Sequence, residues 1–216
     1  MSLSPPPRRR LYVRLAGAVI ALVVVGTAIA STKVLSVEQA AEASQAGAFE
    51  PKDYAAEHFE DDIVPAITDN AVDLVTLLTD LAGGAEEADF GNSAGSSSAY
   101  SFPVTLTGIA GAPNGSILPV TIEGLPEGTV VQVQIGPAIN GTAIRDATGT
   151  VKFNDFTNQL EFQEVATEFN TLVKDQVLSD VDPATLEGKT ITVTGAFTRV
   201  NPALVSVVPV EFEVTQ

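Results

Sequence analysis

No cysteine occurs among the 216 residues of the chain. That excludes disulfides, zinc–thiolate sites, thiol nucleophiles and a lipidated N-terminal cysteine, and it leaves the redox compartment open. Histidine is nearly absent as well. His58 is the only one, so a Ser-His or Cys-His mechanism would have to be built on it, and no nucleophile motif lies near. Walker, GxGxxG and EF-hand spacings are missing, and no internal repeat is visible. From these absences the chain is expected not to be an enzyme and to carry no cofactor. Acid pairs such as Asp61 and Asp62 are the exception to keep in view, because two carboxylates suffice for glycosidic chemistry.

Charge is scarce in a positional sense. Acidic residues are lacking before Glu38, while Arg8, Arg9, Arg10, Arg14 and Lys33 are five of the eleven basic residues. Everything after Lys33 therefore holds six basic against 27 acidic groups, a net of −21. A domain so acidic is repelled by phosphate backbones, which excludes nucleic acid as a partner.

Uncharged sequence does occur in one long run, Leu15 to Ala30, extending to 18 residues through Thr32. It is long enough to span a bilayer, and arginines before it with acid after it place the head inside and the rest outside the cell membrane. The length favours an uncleaved signal anchor. Ala28-Ile29-Ala30 before Ser31 offers the alternative of a cleaved signal peptide and a secreted product. Residues 1–33 are thus read as cytoplasmic head and anchor or signal segment, and residues 34–50, small and polar, as a tether.

From Pro51 the pattern is helical. Tyr54, Phe59, Ile63, Val64 and Ile67 recur at helical spacing, and Pro65 is expected to kink or restart the helix. Asp73 stands where it would cap a second helix that Gly83-Gly84 ends. The helical segment is assigned to 51–84 and a mobile Gly/Ser-rich loop to 85–99.

Beyond that loop the period changes to two. Strands are expected at Phe102–Gly108, Ile117–Glu123 and Thr129–Ile135, then at Lys189–Phe197 and Val205–Thr215. In the last of these, Val208, Val210, Phe212 and Val214 should share one face. Thr142 to Phe153 reads as further extended structure around Arg145-Asp146. A helix should follow, capped near Asn158 with Glu161 at capping-box spacing, its stripe formed by Phe162, Val165, Ala166, Phe169, Val173 and Val177. Three strands, a helix and two strands is the order of an OB-fold, whereas an immunoglobulin-like sandwich needs about seven strands and no long helix. The fold class is therefore α+β: an N-terminal transmembrane helix, a short helical segment, then a five-stranded antiparallel OB-fold-like barrel at 100–216. Such barrels bind on the face of strands two and three and the adjoining loops.

Polar residues that could hold a ligand concentrate between Asn140 and Gln159. Arg145, Asp146, Asn154, Asn158 and Gln159 form the candidate site, interleaved with Ile144, Phe153 and Phe156. Guanidinium and amide groups beside apolar faces suit a small polar ligand. The structural alternative is that Arg145 and Asp146 brace a corner, Asn154 turns the chain and Asn158 caps the helix. The metal reading of His58 with Asp61 and Asp62 gives way to a solvated acidic helix face, and no metal site is expected. The glycosylation sequons at Asn114 and Asn140 read better as turns.

Several blocks together resemble a bacterial family of predicted periplasmic lipoproteins, the domain of unknown function 2291 family. They are Gln134-Ile135-Gly136-Pro137, Gly141 to Asp146, Phe153 to Gln159, Gly188-Lys189-Thr190 and Gly195-Ala196-Phe197, with Val64-Pro65 and Ala71 to Leu74 upstream. The resemblance runs from about Phe49 to the C-terminus. It implies an extracytoplasmic protein, often lipid-anchored, with some members encoded beside sugar ABC transporters and no established activity. This chain departs in having Ala30-Ser31-Thr32-Lys33 where the lipid-bearing cysteine would stand. The expected function is a membrane-anchored extracytoplasmic binding or accessory module, for a small polar ligand or a sugar ABC transporter component. The alternative is a structural envelope protein that binds only a protein partner.

Overall fold

The computed structural model describes residues 49–95 and 98–215. The expected head, anchor and nearly all of the tether lie outside the described residues. Among those described, no helix is long and apolar enough to cross a membrane. Phe49–Gln216 form one compact unit, in which the helical segment packs onto the barrel.

Helix α1 (Pro51–His58) passes through a π-helical turn, Phe59–Ile63, into α2 (Val64–Thr68). Proline at 65 has no N–H to give to the preceding turn, and the helix widens just before it, with the Val64 N–H reaching back to the Phe59 carbonyl. The stripe survives the widening: Ala55, Phe59, Ile63 and Ile67 are all buried. A two-residue strand, β1 (Val72–Asp73), leads into α3 (Leu74–Ala82). There the Asp73 carboxylate accepts the Thr76 N–H at 2.9 Å and so satisfies one orphan donor of the first turn.

Five strands then close on themselves: β2 (Ser101–Ala110), β3 (Ile117–Thr121), β4 (Val130–Gln134), β5 (Thr190–Thr198) and β6 (Leu204–Thr215). The order is β2-β3-β4-β6-β5, and β2 pairs with β5 to shut the ring. The barrel is not wholly antiparallel as expected. β4 and β6 run parallel, with Val131 opposite Val205 and Val133 opposite Val207. The reason is parity: strand direction cannot alternate around a closed ring of five, so at least one neighbouring pair must run parallel.

Two cores result. Leu106, Leu118, Val133, Val193 and Val207 fill the barrel, and Leu74, Leu77 and Leu78 of α3 belong to the same cluster. A second cluster joins the outside of the barrel, at Ala196, Val208 and Val210, to the helices. Val208 and Val210 were expected to share a face with Phe212 and Val214. A register shift separates them: opposite Thr194 lies Glu211, but opposite Gly195 lies Pro209. The extra residue, Val210, reverses the side on which later residues point, since strand side chains alternate with period two. Gly195 makes the shift possible, because a Cβ there would sit 2.2 Å from the Val208 carbonyl oxygen.

The segment expected as a mobile loop is tied down where it is described. Glu87–Asp89 form a 3-10 turn, Asn92 and Ser101 exchange backbone hydrogen bonds at 2.9 and 2.7 Å, and the Asn92 side-chain amide donates to the Ala147 carbonyl at 2.7 Å. Thr142 to Phe153 is a larger correction. It contains helix α4 (Ala143–Ala147) and a 3-10 turn at Phe153–Asp155, with no strand. All five residues of α4 are buried between β2, β5 and the long helix α5 (Gln159–Leu172). A segment buried on every side shows no periodicity to read.

Candidate functional site

Helix α4 enters through Gly141, whose φ of +98° lies in the left-handed region that glycine tolerates. The Gly141 carbonyl is held by the side-chain amide of Asn170 on α5, at 2.9 Å. Upstream, the Gln134 carboxamide binds both the N–H and the carbonyl of Asn140, at 2.8 and 3.1 Å, and fixes the connection from β4. Gln134 is 8% exposed and works as an internal clamp. Thr142 then donates its hydroxyl to Asp146 Oδ2 at 2.6 Å, closing the first turn of α4.

Arg145 and Asp146 are 4% and 9% exposed. Arg145 Nε donates to Asp146 Oδ1 at 2.7 Å, and Nη1 donates to the Phe162 carbonyl at 2.7 Å. The guanidinium carbon lies 3.4 Å from the centroid of the Phe162 ring, which places the cation over the negative face of the aromatic. The pair therefore welds α4 to α5. Nη2 has no partner among the described residues, and Arg145 borders an open groove of about 550 Å³.

That groove has Arg145, Asp146 and Thr142 on one side and Gln159 and Gln163, one turn apart on α5, on another. Phe153 and Val200 stand at its rim, 45% and 81% exposed. A neighbouring groove of about 450 Å³ shares Asp146 and Phe153 and is lined by Asn92, Lys152 and Asn154. Of the five candidate residues, Arg145, Asp146 and Gln159 meet in the first groove, and Asn154 faces the second. Asn158 lines neither. Its Oδ1 accepts the N–H groups of Leu160 and Glu161 at 2.9 and 3.1 Å, so it is the helix cap. Glu161 returns to the Thr157 N–H at 2.9 Å and to the Asn158 amide at 3.0 Å.

Sequence reasoning did not single out Thr142, Gln163, Asn92 or Gln134. Gln163 had a usable signal, since it falls four residues after Gln159 on the same helical face. Asn92 carries none, because its partner Ala147 is 55 residues away, while Thr142 and Gln134 find their partners only once the chain between β4 and α4 has turned. The groove is also not on the face of β3 and β4, where an OB barrel was expected to bind. It is formed by α4, α5, the end of β5 and the chain ahead of β2.

His58 Nδ1 and Asp62 Oδ2 lie 2.5 Å apart on the outer helix face, and the His58 ring packs against Tyr54 with centroids 4.3 Å apart. Burial first, then the carboxylates of Asp155 and Asp62, push the Tyr54 phenol above its ordinary value of 10.0. Among the described residues no group of three or more acidic, His or Cys side chains could hold a metal ion.

A closed five-stranded barrel with its helix between the third and fourth barrel strands defines an OB-fold protein. The crystal structure of an OB-fold protein from Thermotoga maritima superposes with a TM-score of 0.61 at 22% identity, over 78% of this chain and 99% of that one. The family follows from sequence: the model described as "Predicted periplasmic lipoprotein (DUF2291)" matches residues 19–213, and the chain belongs to that family. The family's periplasmic description is consistent with an extracytoplasmic location. None of the curated proteins matches the chain. Although the family is described as lipoprotein, the 216 residues hold no cysteine to carry a lipid.

Proposed function

We propose that this protein is an extracytoplasmic binding or accessory module, held at the membrane by its N-terminal apolar run, that takes a small polar ligand in the groove beside Arg145. One observation carries the reading: a buried arginine, Arg145, lines a groove of about 550 Å³ together with two carboxamides, Gln159 and Gln163, and an exposed phenyl ring, Phe153. Small-ligand sites combine such apolar surface with a few convergent polar groups. In this reading the domain binds and does not turn its ligand over. Service to a sugar transport system belongs to the proposal through the family resemblance alone.

Arg145 is both brace and groove lining, so its own substitution does not isolate binding. The test uses the rim: thermal-shift screening of sugars and cell-wall fragments on the wild type, Gln159→Ala and Phe153→Ala. A ligand that stabilises the wild type and neither variant supports the site. A second reading, docking of a protein partner alone, draws on the exposure of Phe153, Leu160 and Val200, at 45%, 62% and 81%. No shift with any ligand, together with a membrane protein that co-purifies and is lost on Leu160→Asp, decides for that reading.

A further inference from the structure

We infer that the second half of β6 is a docking edge for an extended, basic segment of a partner polypeptide, at a place apart from the groove beside Arg145. β4 pairs with β6 only from Leu204 to Val207. Beyond that point, among the described residues, β6 has β5 as its one strand neighbour, through to Thr215. The alternation of an antiparallel ladder tells which backbone groups are left on the other side. The Ala110 N–H donates to the Lys189 carbonyl and the Arg199 N–H to the Tyr100 carbonyl, both at 2.9 Å. Odd-numbered residues of β5 therefore bond to β2, and Thr190, Thr192 and Thr194 turn their backbone groups to β6. Their partners there are Thr215, Glu213 and Glu211. Phe212 and Val214 then point their N–H and C=O groups away from β5, within an edge about 16 Å long at residues 211–215.

An unpaired edge recruits a further strand through its backbone groups, and its alternate side chains select the partner. Here they select a cation. Glu211 and Glu213 are exposed, and they are the only charged residues of β5 and β6. Both share the outer face of the sheet with Thr194 and Thr192, which lie opposite them. Val214, 39% exposed, gives an apolar contact on the other face. A second copy of this chain is disfavoured, because antiparallel self-pairing of the whole edge sets Glu213 against Glu213. Lysine or arginine at alternate positions of an incoming strand meets both carboxylates instead. The field of a chain that is −21 after Lys33 draws the same partner in.

The experiment is fluorescence anisotropy of a labelled Lys-Val-Lys-Val-Lys peptide, and of its Glu-Val-Glu-Val-Glu counterpart, on the full-length protein, on Val214→Pro and on Glu211→Gln with Glu213→Gln. Proline at 214 removes a donor on the open side and spares the bonds to β5; Pro209 is already accommodated in the same strand. The lysine peptide should bind, and its affinity should fall about 10-fold or more in Val214→Pro and in the double variant. The glutamate peptide should not bind. Amide exchange at Phe212 and Val214 of the wild type should slow when the lysine peptide is added, a readout that does not depend on the proline variant folding. A lysine peptide that fails to bind, or that binds without protecting Phe212 and Val214, overturns the inference. A dimer of the wild type that Val214→Pro dissociates gives the edge to a second copy and overturns it as well. Each of these outcomes leaves the groove beside Arg145 to its own test.

Discussion

Arg145 touches Phe162 twice: its guanidinium carbon lies 3.4 Å from the ring centroid, and its Nη1 donates to the carbonyl of the same residue at 2.7 Å. One side chain thus clamps both the ring and the backbone of α5's first turns, while Asp146 balances its charge within α4. A buried pair of this kind holds elements in register, and breaking it strands a charge.

Arg145→Ala should therefore cost about 3–5 kcal/mol in urea unfolding, because Asp146 is left buried with only Thr142 as a partner. Arg145→Met combined with Asp146→Asn removes both charges, keeps an acceptor for Thr142, and should recover most of that loss. A single-variant loss under about 1 kcal/mol, the range of exposed pairs, would show that the pair is not a brace.

Gly195 should tolerate no side chain. With the Val208 carbonyl oxygen 2.2 Å and the Pro209 Cα 2.9 Å from a Cβ at that position, Gly195→Ala must open the β5–β6 pairing at the bulge. Thermal unfolding should show a loss of at least about 1–3 kcal/mol, the usual cost of overpacking. Gly188→Ala, whose added Cβ has nothing within 4 Å, separates the clash at Gly195 from a backbone effect, since Gly188 has a φ of +79° and suffers strain alone. Equal losses at the two sites would refute the close approach.

Tyr54 gives a pH dependence with a definite sign. Its phenol is raised above 10.0 in the folded protein by burial, then by Asp155 and Asp62. The folded state therefore keeps a proton that the unfolded chain has released. This contribution to stability is complete below pH 10 and is lost as pH rises through the folded value. Alkaline absorbance titration compared with Tyr54→Phe should place its ionisation above pH 10, and ionisation of Tyr54 below that point would contradict the assignment.

The N-terminal run makes a prediction independent of the barrel. With an uncleaved anchor at Leu15–Thr32, the mature chain keeps Met1 or Ser2, fractionates with membranes and exposes residues 50–216 to protease added to intact cells. A mature N-terminus at Ser31 would establish the secreted alternative, and full protection of the domain would reverse the topology.

The features that could be read from the sequence are those settled by near neighbours. Period-two alternation located all five barrel strands to within a few residues. The caps at Asp73 and Asn158 and the turns at Gly115 and Gly141 follow from the local chemistry of short polar side chains and of glycine. Membership of the family was legible for the same reason, because it is written in short blocks. The candidate cluster was found as a stretch but not as a site: Asn158 belongs to a cap, while Gln163 and Phe162 enter from the next helix.

Tertiary structure alone decided the rest. Helix α4 is invisible to periodicity because every side of it is buried, and its polar pair is hidden by pairing with itself and with Phe162. The parallel partnership of β4 and β6 follows from closing an odd number of strands, which no strand's own residues encode. At Val210 one added residue reverses the strand's two faces, and only its alignment against Gly195 shows it. Whether Arg145 braces, binds or does both depends on which of its nitrogens are already engaged by atoms one and seventeen residues away, and those distances exist only once the chain has folded.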